Sequence, residues 1–322
     1  MIKFSRKVKK MIKTAKTIAV FTHTRPDCDA LGSSLALKQG LIKIGKSVIC
    51  FTKDELTENE KLIFDDFEFS RQDCDFSKFD LCISVDAPSY GKLGAYAEGF
   101  SKHPNTIVFD HHKDNDIPTK CKFDDMSYSS CCEIVMDLLE FLKIKISPKM
   151  ASLLYSGLSA DTNSFINTNV TYKSFVNASK LVELGADINK INELQYKNRS
   201  KTEVRCKQFL WNSIKYDEDI AYCMVSTEDL TNLGAKKSDC DNFSSEILSI
   251  KGVNYSFSLV EMYNGAVNVS MRSKSGYDVQ KIAFKLGGGG HICASGAVVF
   301  NQTMKDVCSR IINLIKNENN NK

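Results

Sequence analysis

Histidine is scarce in this chain and sits where chemistry can use it. Of five histidines, His23, His111 and His112 directly follow apolar runs and His291 lies in a glycine-rich stretch; only His103, in a loop before Pro104, is incidental. The segment His23-Thr-Arg-Pro-Asp27-Cys-Asp29 starts at the end of an apolar run. Pro26 turns the chain, and Asp27 and Asp29, two residues apart in a tight turn, can direct carboxylates toward two neighbouring ions. Asp29 can also cap a helix beginning at Ala30. Asp86 closes a second apolar run, Asp110-His111-His112 closes a third, and Asp161 ends a helical pattern. Taken singly, each acid reads as a turn or cap residue. Taken together, four carboxylates (Asp27, Asp29, Asp86, Asp161) and two imidazoles (His23, His111) suit hard to borderline divalent ions such as Mn²⁺ or Mg²⁺. Without cations, carboxylates so close would repel one another.

The elements that must position these residues are legible in the patterning. Runs at 17–22, 47–51, 81–85 and 106–109 are apolar nearly throughout, as strands buried on both faces of a parallel sheet are. Helical patterns at 30–44, 127–142 and 149–159 lie among them, which predicts a doubly wound, mainly parallel α/β domain. The carboxyl ends of such strands form one rim, where ligands bind at the point of strand-order reversal. Residues 172–215 read as a helical connector. The second half changes character, with a strand at 220–225 and a hairpin of 255–262 and 266–272 about Asn264-Gly265. A helix at 278–286, four glycines and a strand at 297–300 complete a smaller α+β domain. The expected organisation is therefore 1–171, 172–215 and 216–316, with 317–322 a disordered tail and the active site in the cleft between the two domains.

Composition bounds the rest. A chain of 322 residues, 43% hydrophobic and 25% charged, buries two cores without disulfide or metal staples. A net charge of +4 is too weak to demand a long-duplex nucleic acid as partner. The basic residues are nonetheless uneven: Lys3, Arg6, Lys7, Lys9, Lys10, Lys13 and Lys16 crowd the first segment with no acid among them. They read as the solvated face of a helix that buries Ile2, Phe4, Val8 and Ile12, or as a surface that attracts polyanions. Twelve cysteines include no Cys-x-x-Cys pair, against a zinc ribbon. The apolar run 18–21 is shorter than the roughly 7–15 residues of a signal-peptide core, and no stretch approaches the ~18 apolar residues of a membrane span. A cytoplasmic protein with no membrane partner is expected; no residue specifies a homodimer.

HTRPDCDALGSS, SVDAP, DHH and ADTNSF resemble, in order, the four motifs of the DHH phosphoesterases, and NVSMRSK with GGGGHICASGA resembles the DHH-associated C-terminal domain. The likeness covers nearly the whole chain and is strongest to the compact bacterial type that hydrolyses short RNA and 3′-phosphoadenosine 5′-phosphate. It implies two divalent ions, manganese foremost with magnesium or cobalt as alternatives, that activate a water for attack on phosphorus. One ion would take His23, Asp27 and Asp86; the other would take Asp29, Asp86, His111 and Asp161. Asp110 would orient an imidazole and His112 would face the substrate phosphate. In the second domain Arg272 can fork onto phosphate, with Ser273 beside it. The backbone N–H groups of Gly288, Gly289, Gly290 and His291 could line an anion-binding concavity, although a glycine after a helix is ordinarily a cap. Cys28 and Asn163 stand where the family commonly has glycine. Asn163 tolerates a left-handed backbone, and Cys28 between two ligands would make the site sensitive to oxidation or soft metals. The alternatives are a stand-alone cyclic-di-AMP or pApA phosphodiesterase and, in a different class, a non-catalytic nucleotide-binding regulator.

Overall fold

The computed structural model describes residues 4–64 and 67–320. Ile2 and Lys3 of the expected first helix, and residues 321–322 of the expected tail, lie outside them. The chain forms two compact units, Met1–Asn198 and Arg199–Lys322.

In the first unit α1 (Arg6–Thr14), β1 (Thr17–Phe21), α2 (Cys28–Lys43), β2 (Ser47–Phe51) and α3 (Glu58–Ile63) are followed by β3 (Leu81–Val85), α4 (Ala97–Lys102), β4 (Thr106–Asp110) and β5 (Cys121–Asp124). Then come α5 (Cys131–Phe141), α6 (Pro148–Asp161), α7 (Tyr172–Glu183) and α8 (Ile188–Asn192). The five strands are parallel in the order β2-β1-β3-β4-β5, so strand order reverses between β1 and β3. The sheet is covered on both faces, which is why its strands lack polar alternation. In β1, Ile18 and Val20 enter a core with Leu35, Ile134 and Leu154, whereas Ala19 and Phe21 enter another with Tyr96 and Phe100. Each such fully buried large side chain stabilises by about 1.5–3 kcal/mol. β5 was not anticipated; its short CKFD segment is an edge strand of alternating half-exposure, too brief to stand out from loop.

α1 is amphipathic as its spacing predicts. Ser5 caps it by accepting the Val8 N–H, and Phe4, Val8 and Ile12 are buried in the core.

The second unit contains α9 (Lys201–Ser213), β6 (Lys215–Asp217), β7 (Ile220–Val225), α10 (Thr227–Leu233), α11 (Phe243–Leu248), β8 (Tyr255–Glu261), β9 (Val267–Ser273), α12 (Gln280–Lys285), β10 (Gly289–His291), β11 (Ala294–Val299) and α13 (Met304–Asn320). Its sheet runs β10-β11-β9-β8-β7-β6, with β7 and β8 parallel and the other pairs antiparallel. Gly265, at φ +76°, makes the expected hairpin turn, across which Met262 N–H donates to Ala266 O at 2.8 Å. One face packs Val269 and Met271 against Ile282 and Ile311; part of the other packs Cys223 against Leu210 and Phe243.

The segment read as a connector is divided: α7 and α8 belong to the first unit and α9 to the second. The tail read as disordered is helical as far as Asn320. Buried Ile311 and Ile315 anchor α13, and Glu318 pairs with Lys281 at 3.0 Å and Lys285 at 3.5 Å, partners that local composition does not reveal. No helix among the described residues is long and apolar enough to cross a membrane.

Candidate metal centre

β1 and β3, the strands flanking the reversal, deliver His23 and Asp86. His23 Nδ1 lies 2.9 Å from Thr24 O; that contact keeps the proton on Nδ1 and turns Nε2 toward Asp27 Oδ1 at 3.9 Å and Asp86 Oδ2 at 3.7 Å. Asp27, not Asp29, is the N-cap of α2: its Oδ1 accepts the N–H groups of Asp29 at 2.9 Å and Ala30 at 3.1 Å. The helix starts earlier than the sequence suggests, at Cys28, so Asp29 is free to turn inward. It is fully buried, and its carboxylate accepts the Cys131 N–H at 2.5 Å and the Cys132 N–H at 2.9 Å. These are the first N–H groups of α5, where the helix dipole favours an anion.

Asp86 takes φ +56° immediately after β3, with its N–H donated to Phe109 O at 3.0 Å. A non-glycine residue held left-handed marks a side chain whose direction matters. His111 Nε2 lies 3.1 Å from Asp161 Oδ2, 3.3 Å from Asp86 Oδ1 and 3.9 Å from Asp29 Oδ2. Asp161 is the last residue of α6, the end where the dipole opposes a carboxylate. Yet Asp86 Oδ1 and His111 Nε2 are buried with no aligned hydrogen bond. Buried polar atoms this close without an aligned partner are unusual and fit a cation site. Three donor sets each have ligand atoms within 4.8 Å of one another: His23, Asp27 and Asp86; Asp29, His111 and Asp161; Asp86, His111 and His112. Carboxylate oxygen and imidazole nitrogen in these sets fit divalent cations.

The electrostatics agree. Burial alone would lower the His23 pKa, but hydrogen bonding and the charges of Asp27 and Asp86 raise it to about 10. For His111 burial is likewise outweighed, by Asp161, Asp86 and Asp29, and its pKa rises to about 12. Burial, then the charges of Asp86 and Asp161, pushes Asp29 well above the usual carboxylate range. Burial raises Asp161 to about 6, against the opposing pull of His111. Without cations the centre holds protons in their place.

Asp110 is buried at the end of β4. Its Oδ1 is 2.8 Å from His112 Nδ1, and its Oδ2 accepts the Asn115 amide at 2.6 Å. The imidazole it orients is therefore that of His112, whose ring stands 4.4 Å from that of His111. Asn163 does adopt the left-handed backbone, at φ +46°, followed by Ser164 at +55° and Phe165 at +66°. Cys28 is half-buried, and burial pushes its thiol up to about 12. His103, buried between Asn105 O and Phe79 O, is a satisfied core histidine.

In the second unit Val267, Val269 and Met271 of β9 face the α12–α13 core, so Arg272 projects from the opposite face. Arg272 pairs with Ala294, and Ala294 pairs with His291; the three form one row across the sheet. Ser273 does not join them. It is buried, donates its hydroxyl to Tyr277 O at 2.7 Å and lies on the core face by strand alternation. The glycine run is also not the expected open loop. Gly287 N–H donates to Phe284 O and Gly288 N–H to Ala283 O, a Schellman closure of α12. Gly288 N–H is thus unavailable to an anion, and a Cβ there would lie 2.1 Å from Gly296 O. Gly289, Gly290 and His291 form β10.

Two family models match: the DHH family N-terminal domain over residues 17–158 and the DHHA1 domain over residues 218–318. The chain is 30% identical to the bifunctional oligoribonuclease and PAP phosphatase NrnA of Mycoplasma genitalium, over 94% of this chain and 95% of that one. The chain belongs to the DHH family. The NrnA protein of Thermus thermophilus is 26% identical over 94% of this DHH protein and 90% of its own length. In fold, an exopolyphosphatase-related protein from Bacteroides fragilis superposes with a TM-score of 0.90 at 23% identity, covering 97% of this chain and 95% of that one. DHH proteins are phosphoesterases, and Asp110-His111-His112 is this one's name-giving tripeptide.

Three positioning features of the DHH unit escaped the sequence. Asn115 holds Asp110, and it donates to Ala87 O at 2.6 Å as well. The N–H groups of Cys131 and Cys132 hold Asp29. Gly157 lets α6 approach Asp29, since a Cβ there would lie 2.5 Å from Asp29 Oδ1. A polar Asn five residues after Asp110 was a usable signal; backbone donors and close approach leave none.

Proposed function

We propose that this chain is a manganese-dependent phosphoesterase that hydrolyses oligoribonucleotides of a few nucleotides to mononucleotides and 3′-phosphoadenosine 5′-phosphate to AMP. The observation that carries the proposal is the three donor sets, linked through Asp86 and His111, whose Asp86 Oδ1 and His111 Nε2 are buried without an aligned hydrogen bond. The relatives' names supply the substrate class.

His23, Asp27 and Asp86 would hold one ion, and Asp29, Asp86, His111 and Asp161 a second. When bound, the pair would polarise a phosphoryl oxygen and activate water. The chain's own residues do the positioning. Thr24 O and the α5 N-terminus fix His23 and Asp29. Asp110 fixes the His112 ring through Nδ1 at 2.8 Å, so that its partly exposed Nε2 edge would face a substrate phosphate. In the second unit Arg272 and His291, on one sheet face, would hold a further phosphate or base.

The test is a product assay of the metal-stripped chain with Mn²⁺ restored, on pAp, pGpG, pApA, a 24-mer RNA, cyclic-di-AMP and pyrophosphate. Turnover of pAp and the dinucleotides, abolished by Asp86→Ala, is expected. Exclusive turnover of cyclic-di-AMP would replace the substrate assignment, and a wild-type chain inert on the whole panel would overturn the enzyme reading in favour of nucleotide binding.

A further inference from the structure

The N-terminal helix carries charge that the metal centre does not use. α1 exposes Arg6, Lys7, Lys10 and Lys13 and contains no acid. Arg6 and Lys7 occupy its first turn, where the dipole disfavours cations. Arg6 with Lys10, and Lys9 with Lys13, are like-charged pairs four residues apart, which weaken a helix. The helix is held instead by its apolar face.

Tertiary structure then adds more cations to the same place. Lys46 Nζ donates to Lys13 O at 2.7 Å and Ala15 O at 2.6 Å. Lys7 Nζ donates to Lys120 O at 2.6 Å, and Lys43 Nζ to Lys145 O at 3.0 Å. Each ammonium is thus held by a carbonyl at or near another lysine rather than by a carboxylate. Among the described residues none of these lysines forms an ion pair. The adjacent acids are occupied: Asp80 accepts the Lys16 and Thr17 N–H groups, and Glu140 pairs with Lys180 at 3.3 Å. Lys16, Lys46 and Lys120 immediately precede β1, β2 and β5. The cluster therefore lines the amino rim of the parallel sheet, the end away from His23, Asp86 and His111. A chain of net charge +4 concentrates more than that on this one rim.

We propose that the amino rim is a docking surface for the phosphate backbone of single-stranded RNA longer than the substrates of the metal centre. Lysine ammoniums act there as point charges, and such binding is sequence-independent and driven by counterion release. Phe141, the ring within reach, is covered by Lys9 at 5.0 Å, so base stacking does not contribute. The apolar face of α1 is committed to the core, which leaves none to enter a bilayer and favours RNA over a lipid surface.

The experiment is fluorescence anisotropy of a labelled 2′-O-methyl 24-mer with the full chain between 50 and 200 mM salt. Wild type should bind with a steep negative slope of log affinity against log salt. K7E/K10E/K13E, and separately K43E/K120E, should each weaken binding at least tenfold and flatten the slope, with unchanged thermal melting and unchanged dinucleotide hydrolysis. Two variants on different elements guard against a local folding defect. Wild-type affinity and slope in both variants would overturn the proposal, as would a wild-type chain that binds anionic phosphatidylserine vesicles but not the 24-mer.

Discussion

The carboxylate of Asp29 accepts the backbone N–H of Cys131 at 2.5 Å, so a residue at the start of one helix is fixed by the N-terminus of another a hundred residues later. Both helices pack on the same face of the sheet, and α6 closes over the pair through Gly157. Gly157→Ala would place its Cβ against Asp29 Oδ1 and Cys132 Sγ. Overpacking of this kind costs about 1–3 kcal/mol. The variant should melt lower and lose Mn²⁺ affinity in calorimetric titration, because the displaced group is one of the proposed donors.

Metal binding should depend steeply on pH. Hydrogen bonding and charge from the neighbouring aspartates raise His23 to about 10 and His111 to about 12, and a cation held by both rings, as proposed, would have to displace the Nε2 protons. Affinity must therefore rise with pH, by roughly tenfold per unit for each proton displaced. Titrations in buffers of different ionisation enthalpy at pH 7 should show net proton release on binding Mn²⁺. Affinity that is flat between pH 6 and 9 would contradict the protonated resting centre.

Asn115 is buried and serves Asp110 and Ala87 together. Asn115→Ala leaves both acceptors unpaired, a loss of about 1–3 kcal/mol. It should also lower kcat more than it raises KM, because His112 loses its fixed orientation while the donors to the cations stay in place. Steady-state kinetics on pAp check this.

Arg272→Lys keeps the charge but not the planar fork. It should raise KM for dinucleotides with little change in kcat, whereas Ser273→Ala should change neither constant, since the Ser273 hydroxyl is committed to Tyr277 O.

The sheet and its rim were legible because strands buried on both faces write uninterrupted apolar runs, and the residues that end those runs must lie on one edge. His23, Asp86 and His111 could be named on that ground and Asp161 from the end of a helical pattern, and the resemblance to known motifs then divided the set between two ions. What was not legible has a common physical origin. Asp29 depends on backbone N–H groups of Cys131 and Cys132, which carry no side-chain signature. The commitment of the Ser273 hydroxyl to Tyr277 O was hidden because the face of a strand residue depends on register, and that of the Gly288 N–H to Ala283 O because a helix closure and an anion nest use the same residue type. The helical end of α13 rests on contacts with Lys281 and Lys285, outside any local window.

Diffraction at the manganese absorption edge, from crystals grown with Mn²⁺, tests the central claim most directly. The account predicts two anomalous peaks, one in reach of His23, Asp27 and Asp86 and one in reach of Asp29, His111 and Asp161, with Asp86 touching both. Crystals that bind manganese elsewhere, with neither position occupied, would contradict it.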